Sequence, residues 1–158
     1  MKKIYLDTSV ISFLEAYDAP DKMEITRKWW NEYLLKGKYK PYISSLVLDE
    51  INRCPEPKKQ RLLKYIMESD FIEELKISVP VIELAKTYIE NQIISPKYLN
   101  DALHIAVATV NNIGIITSWN FRHMVKQKTI KEVNKINKSE NYPDIVIITP
   151  QDFFNYYK

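Results

Sequence analysis

Glycine is almost missing from this chain. Gly37 and Gly114 are the only two in 158 residues, so no GxGxxG dinucleotide loop, no phosphate-cradling GxxxxGK loop and no GxSxG nucleophile elbow can be built. Cysteine is rarer still: Cys54 stands alone. That excludes an intrachain disulfide and every multi-cysteine zinc site, and it points to a reducing compartment. The two histidines, His104 and His123, are too far apart in sequence for an HExxH metal motif. No apolar run approaches the roughly 20 residues that span a bilayer, and Asp7 interrupts the apolar stretch after Lys2 and Lys3 before it reaches signal-sequence length. A cytoplasmic protein without a membrane partner is therefore expected. Any chemistry must come from carboxylates, amides and hydroxyls.

Hydrophobic residues make up 46% of the chain, enough for a real core, and the length suits one domain over 1–158. The net charge of +3 permits a nucleic-acid partner without requiring one. Short apolar runs at Ile4–Leu6, Pro41–Ser44, Glu74–Val79, Gly114–Thr117 and Ile145–Ile148 read as strands. Between them, helical spacing recurs over Asp21–Lys36, Leu46–Arg53, Lys58–Met67, Val81–Ile94 and Leu99–Val110, and Thr149-Pro150 opens a terminal helix. Alternation of this kind predicts an α/β sandwich with a central, mainly parallel sheet. Trp29, Trp30 and Tyr33 are read as core or as an interface between protomers.

The stretch KKIYLDTSVISF, from Lys2 to Phe13, organises the rest. A buried strand delivers Asp7 to its carboxyl end, and Thr8 and Ser9 follow as helix-capping residues. In an open α/β sheet, ligands bind at that edge. Glu50 lies in the helix after the second strand, Asp101 in the first turn of an almost wholly apolar helix, and Thr117, Ser118 and Asn120 just past the fourth strand. His104, one turn after Asp101, is within reach of it and is otherwise a packed, hydrogen-bonded histidine. If Asp7's strand is central, these positions converge. Carboxylates brought together repel unless a cation lies between them, and an all-oxygen set suits Mg²⁺ or Mn²⁺.

YLDTSVI, LVLDEI, NDALHIAVA and IITSWNF, in this order and over essentially the whole chain, resemble the PIN-domain family, in particular its VapC-like toxins from toxin–antitoxin pairs. The resemblance implies a PIN-like three-layer sandwich and an Mg²⁺-dependent endoribonuclease acting on single-stranded RNA, with an antitoxin partner and a homodimeric state. It also implies that Asp7 and Asp101 hold the metal, that Glu50 binds it through water or orients the attacking water, and that Ser9 and Thr117 supply supporting hydroxyls. Asn120 stands where the family has a fourth acid. One negative charge fewer weakens metal binding, so one ion is expected rather than two. Arg122, Lys126 and Lys128, with Lys58, Lys59 and Arg61, are candidates for the RNA backbone, and such contacts make binding steeply salt-dependent.

Asn120 also supports an alternative, a PIN-like module that binds RNA or protein without cleaving. A phosphotransferase of the haloacid-dehalogenase type fits poorly, because position 9 is Ser where a second Asp is needed. A receiver domain fits poorly as well, since Ser118 follows the fourth strand where a Lys is needed.

Overall fold

A computed structural model describes residues 1–157. Five strands form one sheet: β1 (Lys2–Leu6), β2 (Tyr39–Ser44), β3 (Glu73–Leu75), β4 (Ile115–Thr117) and β5 (Val146–Ile148). Their order is β3-β2-β1-β4-β5 and every pairing is parallel. Parallel neighbours need crossovers, and seven of the eight α-helices among the described residues lie in them: α1 (Thr8–Ser12), α2 (Pro20–Trp29), α3 (Ser45–Asn52), α4 (Lys58–Glu68), α5 (Val79–Glu90), α6 (Leu99–Val110) and α7 (Gln127–Ser139), while α8 (Pro150–Tyr156) follows β5.

Side-chain alternation along each strand divides the core into two layers. Tyr5, Tyr42, Ile116 and Ile147 face α5, α6 and α7, packing on Leu84, Tyr88, Ile105 and Val133. Ile4, Leu6, Ile43 and Ile148 face the other way, against Val10, Trp29, Val47, Leu62 and Phe153 from α1, α2, α3, α4 and α8. The expected α/β sandwich is therefore present, with a sheet that is wholly parallel.

Several local expectations change. Trp29, Trp30 and Tyr33 are 0%, 3% and 3% exposed, so these side chains cannot form an interface between protomers. The helix that carries them continues from α2 as a π-helical turn, Trp30–Leu35, and starts at Pro20 rather than Asp21. Met67, expected to face inward, is 82% exposed. The strand expected over Glu74–Val79 reduces to Glu73–Leu75 at the sheet edge, where half the ladder is missing. The basic stretch after Arg122 contains α7, whose apolar side carries Val133 into the core.

Candidate active site

Register fixes the site. β1 is central, with Leu6 beside Thr117 of β4 and Tyr5 beside Tyr42 of β2. The carboxyl ends of these strands form one edge, and Asp7 projects from the middle of it at 3% exposure. Asp7 is the N-cap of α1, its Oδ1 accepting from the Val10 amide at 3.2 Å. Capping is one part of its bonding. Ser9 Oγ donates to Oδ1 at 2.6 Å, and Ser118 Oγ donates to Oδ2 at 2.5 Å. Each of these hydroxyls then accepts a backbone N–H from the loop after β4, Trp119 N on Ser9 and Asn120 N on Ser118, both at 2.9 Å. The loop is clasped to the carboxylate through two oxygens. Burial pushes the Asp7 carboxyl above its ordinary range, against the opposing pull of His104 and of its hydroxyl and amide donors.

Glu50 of α3 sits at the end of a buried chain of hydrogen bonds. Its Oε1 accepts from Thr8 Oγ1 at 3.0 Å and lies 2.6 Å from His104 Nε2. His104 Nδ1 is 2.7 Å from Tyr5 Oη, which is 2.8 Å from Ser44 Oγ. Burial raises the Tyr5 phenol well above its usual value, so Tyr5 carries its proton. With His104 neutral, Tyr5 donates to Nδ1, His104 donates from Nε2 to Glu50 and Ser44 donates to Tyr5; with His104 charged, Nδ1 donates to Tyr5 and Tyr5 to Ser44, and both arrangements satisfy every member. For Glu50, burial pushes upward, but the His104 bond and charge, the Thr8 bond and Arg53 outweigh it, and its carboxyl falls below the usual range.

Asp101, in the first turn of α6, pairs with His123 Nδ1 at 3.0 Å, not with His104 one turn along its own helix. The His123 ring stacks on Tyr98, with centroids 3.8 Å apart. Asn120 Oδ1 accepts the His123 backbone N–H at 2.9 Å, so Asn120 ties the loop together and supports the Asp101 partner.

The residues expected at the site are therefore distributed as follows. Asp7 and Ser9 bond directly to each other, and Glu50 and Asp101 reach the same edge on α3 and α6. Thr117 does not join them: its hydroxyl is buried without a hydrogen-bond partner, and Ser118 supplies the second hydroxyl to Asp7 instead. One residue decides this, because alternation sends Thr117 to the same sheet face as Ile115 and Leu6. Thr8, His104 and His123 were not assigned to the site by sequence. His104 and His123 are the chain's only histidines, a signal in itself, but their partners lie on other elements. Arg122, Lys126, Lys128 and Arg61 are exposed, and Lys58 and Lys59 are partly buried. A surface cleft bordered by Glu15, Arg61, Lys64, Tyr65 and Glu68 includes none of the acids.

Among the described residues, no three His, Cys, Asp or Glu side chains stand together as a ready metal cage. The donor chemistry nonetheless fits a hard divalent cation. Asp7 is a buried carboxylate held only by hydroxyl and amide donors, an arrangement that a cation would relieve. The other acids offer further oxygens at the same edge.

A family model described as "PIN domain" matches residues 4–121. Members of that family are nucleases that generally use divalent metal ions. No curated protein sequence matches the chain significantly. Among solved structures, it is similar to VapBC2 from Rickettsia felis, bound to a DNA fragment from its promoter (18% identity, 93% of this chain and 98% of that one, TM-score 0.55). DNA-bound VapBC from Salmonella typhimurium is similar at 16% identity, covering 95% and 99% of the two chains at a TM-score of 0.56. VapC20 from Mycobacterium tuberculosis, a sarcin–ricin loop cleaving toxin, is similar at 16% identity over 90% and 98%, at a TM-score of 0.55. At these identities the likeness is one of fold.

Proposed function

Because the chain belongs to the PIN-domain family, we propose that it is a VapC-like endoribonuclease that cleaves single-stranded RNA with the help of Mg²⁺, or Mn²⁺ in its place. The observation that carries this reading is Asp7: a buried carboxylate at the carboxyl end of the central strand, with both oxygens fixed by Ser9 and Ser118. Asp7 and Asp101 would hold the ion, and Glu50 would hold it through water or orient the nucleophile. A divalent ion bound there would supply a Lewis acid that lowers the pKa of an attacking water and screens phosphate charge.

The protein's own residues do the rest. Ser9 and Ser118 fix the Asp7 carboxylate so that no reorganisation is needed at the moment of reaction. His104, held by Tyr5, keeps Glu50 ionised and oriented. His123, braced by Tyr98 and Asn120, orients Asp101. Arg122, Lys126 and Lys128, beyond the loop that closes on Asp7, are positioned in sequence to follow an RNA backbone. An antitoxin is the natural protein partner on this reading, by analogy with the VapBC complexes, and a homodimer is the expected assembly. The chain acts as one PIN-like domain in the cytoplasm; none of its described helices is long and apolar enough to cross a membrane.

The test is cleavage of a mixed-sequence single-stranded RNA with Mg²⁺, with Mn²⁺ and with EDTA, beside Asp101→Asn. The expected result is metal-dependent cleavage that falls at least about 100-fold in the variant, the scale for losing one preorganised electrostatic group. A folded wild type that cleaves with neither metal would favour the binding-module alternative, for which Asn120 and its structural hydrogen bond speak.

A further inference from the structure

One hydroxyl away from Asp7 lies an aromatic group built from three elements. Phe13 follows α1, Lys22 is on α2, and Trp119 and Phe121 are in the loop after β4. Phe13 and Trp119 have ring centroids 5.9 Å apart, and Trp119 and Phe121 6.2 Å apart. Lys22 Nζ stands 5.7, 5.6 and 5.3 Å from the rings of Phe13, Trp119 and Phe121. Among the described residues Lys22 pairs with no carboxylate. Trp119 is locked: its indole N–H donates to Thr26 Oγ1 at 2.9 Å, and its backbone N–H donates to Ser9 Oγ at 2.9 Å. Ser9 in turn donates to Asp7, so one hydroxyl separates this group from the central acid. Phe121, by contrast, is 49% exposed.

A half-exposed phenyl ring beside a cation without an acidic partner has a chemical complement. An unstacked nucleobase presents a π-face to the ring, and its phosphate presents a negative charge to the ammonium. We propose that Phe121 and Lys22 form a nucleotide subsite beside Asp7: an unpaired base stacks on the open part of Phe121, and Lys22 takes the adjoining phosphate. Trp119 and Phe13 serve as the fixed backing. The subsite rests on the RNA-cleaving reading and adds to it a reason for single-strand preference, since a base stacked inside a duplex cannot reach Phe121. Continuity with Asp7 through Ser9, and the charge of Lys22, favour RNA over a protein segment as the occupant.

The experiment is equilibrium binding of a fluorescein-labelled mixed-sequence RNA 12-mer to the full chain in EDTA, in single-stranded form and annealed to its complement. Phe121→Ala is expected to weaken single-strand binding by about 5- to 150-fold, the range that base–aromatic stacking supplies, and to leave duplex binding unchanged. Phe121→Tyr restores it. Lys22→Gln is expected to weaken binding and to reduce the slope of log K against log salt by about 0.7; Lys22→Arg retains both. Equal single-strand affinity for wild type, Phe121→Ala and Lys22→Gln overturns the subsite, as does an equal loss on single strand and duplex, or no binding of RNA by wild type. Metal-dependent cleavage is read separately. Cleavage with no Phe121 effect removes the subsite and keeps the nuclease, whereas a Phe121 effect with no cleavage keeps the subsite and removes the nuclease.

Discussion

Tyr5→Phe removes a single oxygen from the buried end of the acid site, and its cost can be worked from the structure. The hydroxyl makes two contacts, 2.8 Å to Ser44 Oγ and 2.7 Å to His104 Nδ1. Shape is conserved, so no cavity term of the large-to-small kind arises. Each hydrogen bond contributes about 0.5–1.5 kcal/mol net, and a buried polar atom left without a partner costs about 1–3 kcal/mol. His104 is 2% exposed and has no water to turn to, so its Nδ1 bears the larger part. Ser44 is 0% exposed, but its hydroxyl rotates and can find a backbone carbonyl. The sum is about 2–4 kcal/mol, a large share of the 5–15 kcal/mol by which a domain is stable. For a chain of this length it lowers Tm by roughly 5–15 °C. Urea denaturation followed by far-UV circular dichroism measures it as a shift in midpoint at constant slope. Repeating the substitution in a Ser44→Ala background should recover about 0.5–1.5 kcal/mol of coupling. A loss below about 0.5 kcal/mol would refute the reasoning, because it would mean that His104 is satisfied without Tyr5.

Other outcomes follow from the same contacts. Burial raises the Asp7 carboxyl in the folded chain, so folding favours its protonated form. That contribution is complete below the unfolded value near 3.9 and is lost as pH rises through the folded value. Asp7→Asn should therefore gain stability over metal-free wild type as pH rises, and Mg²⁺ should raise Tm in wild type alone; parallel melting curves with and without Mg²⁺ would contradict this. For Glu50, burial pushes up but His104 and Thr8 prevail and the carboxyl is lowered. Its contribution is present above about 4.3 and is lost as pH falls through the folded value, so Glu50→Gln should flatten the acid limb of stability measured by denaturation between pH 5 and about 2. Thr149 caps α8 in a box with Asp152, and Thr149→Ala should cost about 1 kcal/mol in a urea titration.

Strand-by-strand, the sheet was legible because parallel strands covered on both faces read as short apolar runs. IYL, IIT and VII needed no further information, and α6 declared itself by being apolar nearly all round. β3 was harder: an edge strand of EEL has little apolar character, and the alternating Ile77 and Val79 beyond it lent it more length than the ladder supports. Asp7 and Ser9 could be seen because they are two residues apart. The partnerships of the histidines could not. Helical spacing places His104 near Asp101, yet position on the wheel turns His104 toward Tyr5 and Glu50, 54 residues from the latter in sequence, and leaves Asp101 to His123. Likewise, Thr117 and Ser118 are chemically similar neighbours, and only the pleat decides which one meets the carboxylate.

The central strand of the sheet is also the first of the five in chain order. β1 gains one neighbour when β2 emerges, but β4 and the Ser118 hydroxyl follow only after residue 117 of the 158 has been made. Asp7, Glu50 and Asp101 all precede that point. A translation product that stops between Asp101 and Ser118 thus holds all three candidate acids and lacks the loop that fastens Asp7. The order of the strands defers closure of the hydroxyl clasp on Asp7 until β4 and the loop after it have followed all three acids along the chain.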